Sequence, residues 1–110
     1  MKNVIVKLSD FTVTPIGRTR DNRHGNHSAQ EFWEDHVVPS FRDAEEIVEV
    51  TIDVSGVYGL PASWKSQLVY YIREMMGKES RTAKIEIVSD NEKDTTDFIN
   101  EFREQGESIP

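Results

Sequence analysis

The sequence predicts a single α/β domain with a small mixed sheet and helices packed mainly on one face of that sheet. Stretches in which apolar and polar residues alternate recur along the chain, as in strands that bury one face. Segments with apolar residues at helical spacing follow those stretches. The chain has 110 residues, which is the size of one domain. We expect the element order β(β)αβαβα, in which the bracket marks an optional strand.

The strands are predicted from short alternating runs. Residues 2–8 form the first, residues 11–14 are the optional second, and residues 48–54 alternate valine and isoleucine with polar residues. The run AKIEIVS, residues 83–89, supplies the last strand. Because strands that alternate with helices are joined by right-handed crossovers, we expect the main strands to pair in parallel.

The polar positions within these strands predict an open sheet face. A parallel sheet covered by helices on both faces has strands that are apolar almost throughout. Here the residues between the apolar positions are polar or charged: Glu49, Thr51, Asp53, Lys84 and Glu86. We therefore expect the second face to meet solvent or a partner.

The first predicted helix has a clear beginning and end. Ser28 and Glu31 match a capping box, in which side chains satisfy the free amides of the first turn. Phe32 and Trp33 follow at helical spacing. Pro39 disfavours helical geometry in the residue before it, so the helix is expected to end near Val38.

Two further helices complete the domain. One is expected over residues 63–76, with Trp64, Leu68, Ile72, Met75 and Met76 facing the core and Gly77 as the stop signal. The other is expected to open with a second capping box, residues 89–92, and to close at Gly106. Its acidic residues, including Asp94 and Asp97, are expected to form a solvated face. The domain then spans residues 1–106, and residues 107–110 are a frayed tail.

Composition narrows the classes of function. The formal net charge is −7, and a chain this acidic repels phosphate backbones, so we expect no nucleic-acid partner. There is no cysteine, which removes disulfides, thiolate metal sites and cysteine nucleophiles. No apolar run approaches a membrane span or a secretory signal. We expect a cytoplasmic protein without membrane contact.

The stretch DVSGVYGLPASW, residues 53–64, resembles the strand–loop–helix signature of STAS domains, the fold of bacterial anti-sigma factor antagonists. Asp53, Ser55, Gly56 and Val57 match the strand end, and Ser63 falls on the phosphoacceptor. The upstream stretch IGRTRDNRHGNHSAQEFWEDHVVPSF, residues 16–41, is similar to the STAS-like family described as a domain of unknown function.

The resemblance implies a non-catalytic regulatory module without a cofactor. Its partner would be a protein, of the kinase-like ATPase type, and phosphorylation of Ser63 would switch the contact. The residues expected to bind the partner or an anion are Arg18, Asp53, Ser55, Gly56, Tyr58, Trp64 and Ser66.

The residue chemistry leaves alternatives open at these positions. Ser63 either caps its helix or carries a phosphoryl group, which the positive end of a helix favours. Asp53 either binds loop amides, pairs with Arg18 or coordinates a metal. The basic residues Arg18, Arg20 and Arg23 either grip an anion or remain solvated.

Catalysis and metal binding have weaker signals. His24 and His27 have a usable metal-ligand spacing but sit in a polar glycine loop, residues 15–27, so solvated histidines are the preferred interpretation. Ser63, Asp53 and a loop histidine supply the residue types of a triad without a sequence motif for one. We therefore expect no enzyme. The alternatives to a protein-binding module are a small-ligand or anion sensor that uses Arg18 and a helix start, and a homodimer through the open sheet face or an edge.

Overall fold

The computed structural model describes residues 2–19, 27–42, 44–79 and 83–107. Arg20, Arg23 and His24 of the predicted loop lie outside the described residues, as do residues 108–110 of the predicted tail.

A three-stranded sheet forms the centre of the domain. Its strands are β1 (Lys2–Lys7), β2 (Val48–Asp53) and β3 (Ala83–Val88), and their order in the sheet is the order in the chain. Both strand pairs are parallel. The α/β class and the parallel pairing are confirmed, whereas the expected mixed sheet is replaced in the described residues by a wholly parallel one.

The prediction of an optional strand at residues 11–14 is wrong. The chain leaves β1 through a single helical turn, α1 (Leu8–Phe11), which ends where the Thr12 amide donates to the Leu8 carbonyl at 2.9 Å. Val13 then bonds to another loop, because its carbonyl accepts the Tyr58 amide at 2.8 Å. This segment therefore bonds to a loop and not to a strand. Alternation of apolar and polar residues alone does not distinguish these two cases.

The two faces of the sheet differ in exposure. On one face Val48, Val50 and Ile52 of the central strand are buried. On the other, Glu49, Lys84 and Glu86 are exposed, and Ile5 of β1 is 66% exposed. The helices cover the first face, and the second face is open in the part of the chain that the structure describes.

The first helical segment begins as expected and changes its winding further along. The Ser28 hydroxyl oxygen accepts the Glu31 amide at 3.2 Å, and the hydroxyl donates to Glu31 Oε1 at 3.0 Å. The segment runs as α2 (Ala29–Phe32), a π-helical turn (Trp33–Val37) and a 3₁₀ turn (Val38–Ser40). The expected end near Val38 is confirmed to within two residues, since the π-helical turn ends at Val37 and a 3₁₀ turn with Pro39 in its first positions ends at Ser40.

The two long helices pass through their expected stop signals. Helix α3 is Ala62–Glu79 and helix α4 is Glu92–Glu107, so neither Gly77 nor Gly106 ends its helix. A glycine inside a helix costs about 1 kcal/mol relative to alanine. Burial of the apolar side chains of each helix contributes more to the free energy of unfolding than one glycine costs.

Helix α4 begins differently from the prediction. Asn91 Oδ1 accepts the Asp94 amide at 3.1 Å, so Asn91 is the capping residue. Ser89 instead accepts the Asn91 amide at 3.0 Å and shapes the turn before the helix. The predicted capping box at residues 89–92 is therefore wrong by two positions.

The core lies between the sheet and the helices. Trp64, Leu68 and Ile72 of α3 are fully buried and Met75 is nearly so, which confirms the predicted apolar stripe at these four positions. The rings of Trp64 and Phe32 lie with their centroids 5.7 Å apart, which joins α3 to α2. Among the described residues, no helix combines the length and the apolar character that crossing a membrane requires.

Candidate functional site

A cleft of about 510 Å³ opens beside the loop that joins β2 to α3. We call it the corner cleft. Three segments of the chain form it: the residues that follow α1, His27, and the end of the β2–α3 loop. Its walls are formed mainly by apolar and proline residues: Thr14, Pro15, Ile16, His27, Tyr58, Gly59, Leu60 and Pro61.

Hydrogen bonds hold the walls of the corner cleft together. The Ile16 amide donates to the His27 carbonyl at 3.1 Å, and that carbonyl also accepts the indole N–H of Trp64 at 3.1 Å. Thr12 Oγ1 lies 2.6 Å from His27 Nδ1. With the bond from the Tyr58 amide to the Val13 carbonyl, these contacts tie all three segments to one another and to α3.

Apolar side chains are exposed at the edge of this cleft. Tyr58 is 88% exposed, and Val13 and Ile16 are each 41% exposed. We call these three residues the corner rim. Because the hydrogen bonds above fix the backbone of the rim, its apolar surface faces solvent on a pre-formed loop.

The predicted site residues Asp53, Ser55 and Gly56 shape the β2–α3 loop. Asp53 Oδ1 accepts the Ser55 amide at 2.9 Å, an Asx turn. Ser55 Oγ accepts the Asp90 amide at 2.8 Å, which links this loop to the one after β3. Gly56 has φ of +81°, a conformation that favours glycine. Of the interpretations of Asp53, its geometry matches the binding of a loop amide.

Ser63 lies in the first turn of α3 without capping it. The helix begins at Ala62, and the Lys65 amide donates to the Pro61 carbonyl at 3.1 Å, so Ser63 is the second helical residue. Its side chain is half-buried. The cap interpretation of Ser63 is wrong, and the residue stays near the positive end of the helix dipole.

Trp64 and Ser66 do not have the exposure expected of contact residues. Trp64 is fully buried, and its indole fills the core beside Phe32, so the structure gives it a core position instead of the expected contact position. Ser66 is half-buried, and its carbonyl accepts the side-chain amide of Gln105 at 2.9 Å. This bond holds α4 against α3.

Arg18 is exposed next to the start of α2. Its carbonyl accepts the Gln30 amide at 3.1 Å, and the carbonyl of Gly17 accepts the Ala29 amide at 3.1 Å. The first amides of α2 are thus bound by the chain itself. An anion held by Arg18 would have to use other donors.

Lys65 is a buried lysine that was not predicted from the sequence. Lys65 Nζ lies 2.7 Å from Asp94 Oδ1 and 2.7 Å from Asp97 Oδ2, and the lysine side chain is 3% exposed. Burial by itself lowers the pKa of Lys65, but its hydrogen bonds to Asp94 and Asp97 more than offset this, so that the pKa lies above its ordinary value of 10.5. The hydrogen bond from Lys65, and then the one from Lys93, lowers the pKa of Asp97.

This cluster corrects the interpretation of Asp94 and Asp97 as a solvated face. A signal for it was present, because Lys65 lies on α3 directly after Trp64 and three residues before Leu68, at the margin of the predicted core stripe. A second cleft of about 310 Å³ lies beside the cluster. The position of Lys65 between α3 and α4 makes it a structural anchor of the two helices.

The weaker alternatives find little geometric support in the described residues. No group of three or more histidine, cysteine or acidic side chains is placed to hold a metal ion in that part of the chain. The hydrogen bonds of Asp53 and His27 go to Ser55 and Thr12, so the residue types of a triad are not joined there. His24 lies outside the described residues.

Comparison of the chain with protein-family models, with curated proteins and with solved structures finds no match in any of the three.

Proposed function

We propose that this chain is a non-catalytic regulatory module that binds a protein partner through the corner cleft and the corner rim. The observation that carries the proposal is the exposure of Tyr58, a residue that is 88% exposed on a loop fixed by hydrogen bonds. Exposed aromatic anchors beside apolar clefts supply much of the binding energy of protein interfaces. A pre-formed loop also reduces the entropy that binding costs.

The resemblance to STAS domains extends this proposal to a partner class and a switch. The partner is then a kinase-like ATPase, and Ser63 is its phosphoacceptor. A phosphoryl group adds about −1.5 to −2 charge at pH 7, and the first turn of α3 stabilises such a charge by about 0.3–1 kcal/mol at exposed sites. The added charge lies within one helical turn of Pro61, a wall of the corner cleft, and it weakens an apolar contact there.

The experiment uses Tyr70 as the matched control for Tyr58. Tyr70 is a tyrosine on α3 that is 48% exposed. A photo-crosslinking phenylalanine derivative at position 58 is expected to capture a partner in cells, and the same group at position 70 is expected not to. Tyr58→Ala should weaken binding of the captured partner roughly tenfold or more, whereas Tyr70→Ala should leave it within about twofold. Equal affinity of the Tyr58→Ala variant and the wild type would contradict the proposal.

The phosphorylation part is tested separately on the same partner. Ser63→Asp is expected to bind more weakly than Ser63→Ala, with similar melting temperatures for the two variants. If the two variants bind alike while Tyr58→Ala still binds more weakly than the wild type, the switch is refuted and the contact surface stands.

A small-ligand or anion sensor is the second candidate, and the size of the corner cleft favours it. Ligand pockets have volumes of about 300–1,000 Å³, and the corner cleft falls in that range at about 510 Å³. A thermal-shift panel of phosphate, nucleotides and divalent metals separates the two candidates. A large stabilisation by one compound favours the sensor; because Arg18 does not line the corner cleft, loss of that stabilisation in Arg18→Gln would assign the binding to the expected Gly-Arg loop instead of the cleft.

A further inference from the structure

Strand β3 is an edge of the sheet. Within the described residues it pairs with β2 alone, and the sheet order places nothing beyond it. An edge strand presents backbone donors and acceptors that can pair with another strand. A sheet of three strands is also at the small end of the usual range.

The exposed charges of β3 alternate in sign. Lys84 and Glu86 lie on the open face of the sheet, two residues apart. In an antiparallel contact with β3 of a second copy, a two-fold axis perpendicular to the sheet keeps each side chain on its own face. When Ile85 lies opposite its own copy, Lys84 faces Glu86 of the second copy, and Glu86 faces Lys84.

The neighbouring registers are unfavourable. A shift by one pair in either direction places Lys84 opposite Lys84 or Glu86 opposite Glu86, and like charges directly opposite one another destabilise a strand pair. The charges of β3 therefore select one register for self-pairing. Strand β1, the other edge, carries lysines and no acidic residue, so it offers no such pairing.

Helix α4 supplies an apolar surface at the same edge. Phe98, Ile99 and Phe102 line a cleft of about 160 Å³ together with Ile87 and Val88 of β3, and Ile99 is 54% exposed. The two-fold axis leaves the helices of both copies on the same face of the joined sheet. The contact thus brings two α4 helices to one junction, where the exposed isoleucine is covered.

We propose that this chain forms a two-fold dimer by antiparallel pairing of β3 with β3 of a second copy, with Ile85 on the axis and α4 of each copy flanking the junction. The two sheets join into one continuous sheet. The corner cleft lies in segments separate from this contact, so the dimer does not depend on the proposed function.

The test is analytical ultracentrifugation of the full chain and four variant samples. Glu86→Lys places a second lysine opposite Lys84 across the axis, and its neighbour within the sheet is the uncharged Thr51, so the fold is expected to tolerate it. We expect its dimer dissociation constant to rise roughly tenfold. Lys84→Glu is expected to act in the same way, with a lower melting temperature because Glu49 is its neighbour on β2.

Complementation makes the register testable. An equimolar mixture of Glu86→Lys and Lys84→Glu is expected to form a heterodimer, because each charged position then faces its opposite. Lys2→Glu, a charge reversal on the other edge, is the matched control and is expected to dimerise as the wild type does.

Three results overturn the proposal. They are a wild-type dimer that Glu86→Lys leaves unchanged, a mixture that stays monomeric, and a wild-type chain that is monomeric at every concentration up to its solubility limit. The last result would instead leave the β3 edge to an extended segment of another protein.

Discussion

Gly56 shows how one backbone conformation shapes the candidate site. Its φ of +81° lies in the left-handed region, and a β-carbon added there would lie 3.5 Å from Ser9 Cβ, an ordinary contact distance. The constraint on this position is therefore the backbone angle and not the available space. Gly59, three residues further along, has no atom within 4 Å of an added β-carbon.

We expect Gly56→Ala to lower the free energy of unfolding by about 1–2 kcal/mol, because an alanine is strained at this angle. Gly59→Ala is the control, and it is expected to be neutral or to stabilise by up to about 1 kcal/mol through the unfolded chain. Urea denaturation of both variants provides the measurement. Equal effects of the two substitutions would contradict the account of Gly56.

At the level of single residues, the sequence predicted one loop role and no buried ion pair. The binding of a loop amide by Asp53 follows from residue type, since aspartate binds nearby amides, whereas Gly56 was expected in the binding site and its positive φ was not predicted. Lys65 could not be predicted in the same way. Its environment depends on two carboxylates that lie on another helix and about 30 residues away in the chain, and a lysine side chain is usually solvated.

Helix existence was easier to predict than helix ends. Apolar spacing located α3 and α4, but glycine signals at positions 77 and 106 did not end them. The serine and glutamate at residues 89–92 match a capping box in letters, yet the chain enters the helix two residues later. Serine and asparagine are both favourable capping residues, and in the structure the side chain that caps α4 is that of Asn91.

Capping of α4 gives a prediction at this scale. Asn91→Ala is expected to lower the free energy of unfolding by about 1 kcal/mol, because it removes the acceptor for the Asp94 amide. Ser89→Ala removes a turn contact outside the helix and is expected to cost less than half as much. Thermal unfolding followed by circular dichroism measures both. A larger loss for the serine variant would restore the capping box inferred from the sequence.

The stability of the whole molecule is linked to pH through the contact of Lys65 with α4. Because the pKa of Asp97 in the folded chain is lowered, its contribution is present above the unfolded value of 3.8 and is lost as the pH falls through the folded pKa. Because the pKa of Lys65 is raised, its contribution is present below 10.5 and is lost as the pH rises through the folded pKa. The contribution of this ion pair to the free energy of unfolding is therefore fully present between pH 3.8 and pH 10.5.

We expect Lys65→Met to lower the free energy of unfolding at pH 7 by about 1 kcal/mol or more. The loss is smaller than for a fully buried ion pair, because Asp97 is partly exposed and solvent screens its charge. The difference from the wild type should shrink as the pH falls below 3.8. Lys93→Met is the control, since Lys93 contacts the same carboxylate but is 81% exposed, and its effect should stay within about 0.5 kcal/mol. Urea titrations across the pH range measure both. A difference that does not change with pH would contradict the role of the ion pair.

The order of the strands also bears on how the chain acquires its shape during synthesis. Each new strand pairs with the strand that left the ribosome just before it, so no strand has to wait for a later one to fill a gap. Each parallel pair closes one crossover connection, and pairing consecutive strands keeps these connections shorter than pairing β1 directly with β3 would. Nascent chains of this topology can thus extend the sheet in the direction of translation, and the carboxylates that bind Lys65 are made last, on α4.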